Sequence, residues 1–308
     1  MTAFLGRRLA QALLQIWGAI TIVFIALRVL PGDPAELILG SQATPEALET
    51  LRAQLGLRDP LIVQYFDHLR HVVTLDFGQS WRQGVSALDA TMERLGPTLT
   101  LSAWAMVITI ALGFAAGSFA ARRANTWADH LVSVSSLVGQ ALPPFWIGIM
   151  LSLIFARWLQ ILPSTADGSM VSLLLPALTL ALPFVGWLGR LVRTGILEEM
   201  NQDYVRTAHA KGLSHRVVFY IHVLRNTLVP VVTMLGLLMG YFIANGVIVE
   251  VIFAWPGIGS LLVDSITFRD YAVVEAVLTV ITVCYILLNL LVDVLYVYLD
   301  PRIQLENA

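Results

Sequence analysis

Charge is scarce in this chain of 308 residues: only 13% are Asp, Glu, Lys or Arg, about half the share of a soluble globular domain. Cysteine is scarcer still, with Cys284 alone, and a disulfide-stapled scaffold is excluded. Lysine is nearly absent as well. A phosphate-binding P-loop requires Gly-Lys-Ser/Thr, and the single lysine, Lys211, follows Ala210 and precedes Gly212, so this chain carries no P-loop. A net charge of −2 gives no basic field for nucleic acid. With 22 glycines and 13 prolines, collagen-like and low-complexity classes are excluded too.

What remains is apolar: 57% of residues are hydrophobic and the mean hydropathy is +0.76. The excess needs lipid. Six runs free of Asp, Glu, Lys, Arg and His stand at 9–27, 95–121, 131–156, 168–189, 226–249 and 276–292, the last continuing past Asp293 toward Leu299. A helix needs roughly 20 residues at 1.5 Å each to cross a hydrocarbon core of about 30 Å, and these runs have 17 to 27. The first follows Arg7 and Arg8 as a signal peptide would. It is longer than a signal h-region, however, and Arg28-Val29-Leu30-Pro31 is no small-residue cleavage site, so it is read as a retained span.

Basic residues alternate between the connections. Arg7 and Arg8 precede the first run, Arg122 and Arg123 join the second to the third, Arg190, Arg193, Arg206, Lys211, Arg216 and Arg225 join the fourth to the fifth, and Arg302 follows the sixth. That places 11 of the 19 basic residues on one side, while the short opposite connections hold Arg157 and Arg269. By the positive-inside rule both termini are expected in the cytoplasm.

Two long connections carry pattern of their own. In 31–94, Thr44-Pro45 has N-cap and N1 chemistry, Leu48, Leu51 and Leu55 keep helical spacing and Gly56 closes the helix. Asp59-Pro60 opens a second helix with Val63, Phe66 and Leu69 on one face. This cap either packs on the membrane domain or docks an external protein. In 191–225, Ile196, Met200, Tyr204 and Ala208 recur every four residues, with Glu198, Glu199 and Asp203 early and Arg206 and Lys211 late, as the helix dipole favours. Gly212 sits at C′, and Ser214 caps a further helix bearing Val217, Ile221 and Leu224. A helix–Gly–helix elbow results. A surface-lying helix is rich in Lys and Arg, whereas this one starts acidic, which favours a protein partner over the membrane surface.

The stretch Asp203-Tyr204-Val205-Arg206-Thr207-Ala208-His209-Ala210-Lys211-Gly212-Leu213, followed by His222-Val223-Leu224-Arg225-Asn226 and Pro230, resembles the cytoplasmic coupling loop of permease subunits in the dipeptide/oligopeptide/nickel ABC importer family. Arg7-Arg8, Leu30-Pro31-Gly32-Asp33-Pro34, Leu55-Gly56-Leu57 and Gln64-Tyr65 resemble its N-terminal third. Phe253-Ala254-Trp255-Pro256-Gly257-Ile258-Gly259, Arg269-Asp270-Tyr271 and Asp300-Pro301-Arg302 resemble its C-terminal third. The long outer segment is similar to that of the B-type member of the permease pair. One departure stands out: Arg206-Thr207-Ala208 occupies the place of the Glu-Ala-Ala found in importers at large, as in the peptide branch.

The resemblance implies an all-α polytopic protein of the bacterial inner membrane, like a type I ABC importer permease. It would have a cytoplasmic N-terminus and first span (1–30), an extracytoplasmic helical segment (31–94), a core (95–300) and a cytoplasmic tail (301–308). Five spans are expected in that core at about 95–121, 131–157, 168–190, 226–250 and 275–299, with the coupling loop at 191–225. Implied partners are the lipid bilayer, a homologous second permease, two ATPase subunits or domains and an extracytoplasmic solute-binding protein. No nucleic acid is involved. This chain itself would bind no cofactor, ATP and Mg residing on the ATPases. The implied coupling residues are Asp203, Tyr204, Arg206, Thr207, Ala208, Lys211, Gly212 and Leu213. Cargo would be a peptide, or alternatively nickel or another metal chelate.

Two other classes fit less well. A secondary transporter shows internal repeats and embedded charges, yet no repeat relates the halves, and Arg28, Arg190, Glu250 and Asp293 are expected at or near span ends. A membrane enzyme has no HExxH or GxSxG motif here, and the six histidines, at 68, 71, 130, 209, 215 and 222, are read as exposed or capping. No metal or catalytic set is expected. Gln140 and Asn245 are polar at membrane depth and should face protein or a water-filled path. Pro143-Pro144 and Pro183 imply kinks. Trp255-Pro256-Gly257 is either an interfacial aromatic with a turn or a gate at the mouth of that path.

Overall fold

The computed structural model describes residues 2–29, 34–39, 43–54 and 56–299. The motif residues 30–33, Leu55 and 300–302 and the tail 301–308 lie outside the described residues. Among the described residues there is no strand, only an isolated bridge between Gln79 and Ser86.

The chain opens with α1 (Thr2–Val29), then three shorter helices, α2 (Pro34–Leu39), α3 (Pro45–Gln54) and α4 (Leu61–Thr74). A long α5 (Ala87–Arg122) follows, then α6 (Trp127–Ala141) and α7 (Pro144–Leu151), which continues as a π turn over Ser152–Trp158. Next come α8 (Leu174–Met200), α9 (Asp203–Ala210), α10 (His215–Val217), a π segment Val218–Val223 and α11 (Leu224–Ile252). The chain closes with α12 (Ile258–Thr267) and α13 (Tyr271–Leu299).

Helices α1, α5, α8, α11 and α13 are each long and apolar enough to cross a bilayer. The run expected as a kinked third span at 131–157 is broken into two helices. Helices α6 and α7 meet at a bend of 105°, so together they make at most one bent span. The cause is local: Leu142 precedes a proline and takes φ −85° and ψ 130°, Pro143 follows at −62° and 138°, and neither proline has an amide proton to donate.

Two other spans shift. Helix α5 starts at Ala87 rather than near 95, because Asp89, Glu93 and Arg94 are helical although charged. Helix α8 starts at Leu174 rather than 168 and runs to Met200, ten residues past the expected end near 190.

The chain divides into two compact units, Met1–Pro97 with Pro256–Leu290, and Thr98–Trp255 with Leu291–Ala308. In the first, Phe77, Ala87, Ile258, Leu261, Val273, Ala276 and Val277 form the core. Thr44 caps α3 through the Ala47 amide at 3.3 Å, and Gly56 has φ +64°, the left-handed turn its position suggests. Ser80 Oγ donates to buried Asp270 Oδ2 at 2.5 Å, anchoring the loop before α5.

Helix α4 packs on α1 through a face other than the Val63–Phe66–Leu69 one. Buried are Gln64 and His68, while Val63 and Phe66 are exposed. The Tyr65 and Thr21 hydroxyls are 2.8 Å apart, Tyr65 meets Phe24 edge-on at 5.3 Å, and His68 Nε2 lies 3.3 Å from the Ile20 carbonyl. His68 Nδ1 stands 2.7 Å from Glu275 Oε1. The expectation of an exposed His68 is therefore corrected: polar contacts to α1 and α13 outweigh its desolvation.

In the second unit α8 is central, with Leu175, Ala181, Leu188, Val192 and Ile196 fully buried. A Cβ at Gly186 would collide with Ser136 of α6, and one at Gly117 of α5 with the Gly189 carbonyl and Val192. Glycine here permits backbone contact that any side chain would block. Glu250 also departs from expectation. It is fully buried, not solvated at a helix end, and accepts a 2.6 Å hydrogen bond from Thr98 Oγ1.

Candidate functional site

The elbow starts where α8 stops. Asn201 and Gln202 turn the chain, their amides donating to Glu198 and Glu199 carbonyls at 3.2 Å. The single helix expected through Ile196, Met200, Tyr204 and Ala208 is thus two helices, α8 and α9. Within α8, Ile196 is buried, Met200 is exposed and Glu199 is half-buried. Tyr204 then donates its hydroxyl proton to Glu199 Oε2 at 2.5 Å, and Asn226 Nδ2 donates to the same oxygen at 3.4 Å. Burial first, and this bond second, push the Tyr204 phenol above its ordinary value of 10.0. It is a neutral donor at physiological pH.

Val205 and Ala208 bury the inner face of α9. Its outer face is polar and free: Asp203, Arg206 and Thr207 are exposed, with Arg206 Nη1 3.4 Å from Asp203 Oδ1. Helix α9 ends in a paired cap. The Gly212 amide donates to the His209 carbonyl at 2.9 Å and the Leu213 amide to the Ala208 carbonyl at 3.3 Å, with Gly212 at φ +83°. This is the Schellman arrangement that a C′ glycine supports. Nothing lies within 4 Å of a Cβ built on Gly212, so only the φ angle, and not space in this chain, resists a side chain there. Lys211 and Leu213 flank it, both exposed.

Ser214 Oγ then accepts from the Val217 amide at 3.5 Å, the N-cap bond its position suggests. The helix after it differs from expectation. Val217 and Ile221 are exposed, and the buried pair is Val218 and Val223, five residues apart. The π segment that contains them adds a residue per turn and so moves the buried face.

Neighbouring elements brace the elbow. At the end of α5, Arg122 donates to the Tyr220 hydroxyl at 2.7 Å and lies 4.8 Å over the Phe219 ring. Farther up α8, Arg193 donates through Nε and Nη2 to Asp129 of α6 at 2.5 and 2.6 Å. Arg122 and Asp129 lie outside the stretch read as the coupling loop, and although Glu199, Arg193 and Asn226 fall within or beside it, their pairings are not legible there. Their partners lie far along the chain, except Tyr204 for Glu199, and no local pattern signals them.

The path residues are not brought together as one cluster. Gln140 accepts from Arg190 Nη2 at 3.0 Å and donates to Ser136, an interhelical link between α6 and α8. Asn245 is exposed and donates within its own helix to the Tyr241 carbonyl at 3.1 Å. Trp255, half-buried, ends the second unit with its amide on the Glu250 carbonyl at 2.8 Å; exposed Pro256 and buried Gly257, the N-cap of α12, open the segment of the first. Among the described residues, no group of three or more His, Cys, Asp or Glu side chains is placed to hold a metal ion.

Residues 113–305 match the family described as binding-protein-dependent transport system inner membrane component, and residues 1–102 match the N-terminal family of the same membrane components. The chain is 37% identical over 312 residues to the probable peptide ABC transporter permease protein y4tP of Sinorhizobium fredii, covering 99% of this chain and 100% of that one. It is 38% identical over 304 residues to the glutathione transport system permease protein GsiC of Escherichia coli K12, covering 99% of each. With the dipeptide transport system permease protein DppB of Alkalihalophilus pseudofirmus it shares 34% over 332 residues, covering 99% and 100%.

Proposed function

The chain belongs to the family of inner-membrane permease components of binding-protein-dependent ABC transport systems, and we propose that it is the B-type permease of a peptide importer. It is a multi-pass inner-membrane protein and a transport subunit rather than an enzyme. The peptide reading rests on relatives named for peptide, glutathione and dipeptide transport that match from end to end. None of these three is named for nickel.

Its partners in this reading are a homologous permease, two ATPases that carry ATP and Mg, and an extracytoplasmic binding protein that selects cargo. Both termini lie in the cytoplasm with the elbow, and the segment 31–94 lies outside. Closure of the ATPases on ATP would push the exposed face of α9, through Asp203, Arg206, Thr207, Lys211, Gly212 and Leu213. Tyr204 and Ala208, on its inner side, would transmit that push to the spans. Gln140, Asn245 and Trp255-Pro256-Gly257 are the candidates for path and gate.

The observation that carries this reading is the α9–Gly212–Ser214 elbow, joined without a flexible linker to the long helix α8. Its test is reconstitution with the cognate permease, ATPases and binding protein in proteoliposomes. Uptake of a labelled di- or tripeptide that requires ATP, binding protein and this chain together is expected. ATP-independent uptake by this chain alone would overturn it.

A further inference from the structure

Helix α4 has three sides. Gln64, Tyr65, His68 and Val72 face inward, being buried or half-buried. Asp67, Arg70, His71 and Thr74 form a polar exposed side. Between them run Ile62, Phe66, Leu69 and Val73, spaced by four, three and four residues, hence one stripe on a helix turning 100° per residue. Among the described residues this apolar stripe is left largely uncovered: Ile62 and Phe66 are each 62% exposed, Val73 is 82% exposed and Leu69 is half-buried. A continuous apolar stripe of this kind calls for a partner.

The position of α4 identifies one. It packs on α1 at Ile20, Thr21 and Phe24, which precede Arg28, the end of the first membrane span, by eight, seven and four residues. At 1.5 Å per residue those contacts lie about 6 to 12 Å inside the span end. Interfacial helices bury their apolar faces about 5–10 Å into the boundary between headgroups and acyl chains. The same stretch of α1 leaves Ile22 and Ile25 exposed, 68% and 53%, as lipid-facing residues of a span. At 14 residues, α4 is about 21 Å long and too short to cross.

We infer that α4 is an interfacial membrane helix: its Ile62–Phe66–Leu69–Val73 stripe lies in the acyl chains of the leaflet at the Arg28 end of α1, continuous with the lipid-facing surface of α1, while Asp67, Arg70 and His71 face headgroups and water. The segment after the first span is then partly a membrane anchor and not wholly an aqueous cap.

The test uses nitroxide labels in the full importer complex in phospholipid nanodiscs, with Cys284→Ser as background and single Phe66→Cys, Val73→Cys and Arg70→Cys variants. Collision with oxygen, which concentrates in lipid, is compared with collision with an aqueous nickel chelate. At 66 and 73 oxygen should dominate, and at 70 the nickel chelate should dominate. Nickel dominance at 66 and 73 would overturn the inference in favour of an aqueous cap. Protection from both reagents there, either before or only after the solute-binding protein is added, would overturn it in favour of a protein interface. If Phe66→Cys does not assemble, Ile62→Cys samples the same stripe. Because no arm reads transport, the result is independent of the proposed cargo.

Discussion

Tyr204 and Glu199 are joined by a 2.5 Å hydrogen bond across the two-residue turn that separates α8 from α9. The bond is a strut: it fixes the angle at which the elbow leaves the long helix. A hydrogen bond to a charged acceptor contributes roughly 1.5–3 kcal/mol. Tyr204→Phe keeps the ring and removes the strut, so complex assembly should persist while stimulation of ATP hydrolysis by loaded binding protein falls several-fold. Full stimulation in Tyr204→Phe would show that the strut carries no coupling.

The same bond has a pH signature. The folded-state phenol titrates above the ordinary 10.0, so its contribution is fully present below that value and lost as pH rises through the raised folded value. Coupling should therefore show no Tyr204-dependent change between pH 6 and about 9. The check is an ultraviolet difference titration of wild type against Tyr204→Phe, in which the tyrosinate signal should emerge only above the ordinary tyrosine range.

Gly212 separates conformation from docking. Alanine fits the open space but must adopt φ +83°, at about 1 kcal/mol. Gly212→Ala should thus transport at a modestly reduced rate, whereas Gly212→Arg should insert and accumulate yet fail in uptake, because its side chain projects where the ATPase is proposed to dock. Normal peptide uptake by Gly212→Arg would remove the elbow from the coupling route.

Asp129 and Arg193 test the brace above the elbow. Asp129 is buried and Arg193 is partly so, and removing one partner of a buried pair leaves the other uncompensated, at roughly 3 kcal/mol or more. In detergent, Asp129→Ala should lower the melting temperature by several degrees. The double variant Asp129→Ala/Arg193→Leu should recover part of that loss. A double variant as unstable as the sum of both singles would mean that the two groups do not interact.

The proposed sidedness rests on the distribution of basic residues. In a Cys284→Ser background, Ala47→Cys should react with a membrane-impermeant maleimide on intact spheroplasts, and Ser214→Cys only after lysis. The reverse pattern inverts every assignment of sides.

Local chemistry was legible along the sequence, and long-range pairing was not. Thr44, Gly56, Gly212 and Ser214 each act within a few residues of themselves, and each has the cap or left-handed conformation read from its type and spacing. Pro143-Pro144 announced a kink, but the missing amide donors alone do not give its angle, which is 105°. The partner of the α4 stripe is not legible, because apolar spacing identifies a stripe without saying whether protein or lipid covers it. The two-residue turn at 201–202 interrupts the helical count, so Tyr204 and Ala208 stand on a separate helix from Ile196 and Met200. The burial of His68 and Glu250 needed partners on other helices, Glu275 and Thr98, which no window around either residue contains.

Helix α8 has 27 residues and is therefore about 40 Å long, some 10 Å more than a hydrocarbon core. It stays helical through Pro183 to Met200, and Gly186 and Gly189 seat it backbone-close against α6 and α5. In the proposed importer, such a helix would act as a lever with its fulcrum at those glycines. A tilt of about 10° sweeps one end roughly 7 Å relative to the other over that length. In the proposed importer, the stroke of the elbow and the widening of the path would then be one motion, and their ratio would be set by where along α8 the glycines stand: moving that seat by one helical turn would change the gearing without altering any residue proposed to touch cargo or the ATPases.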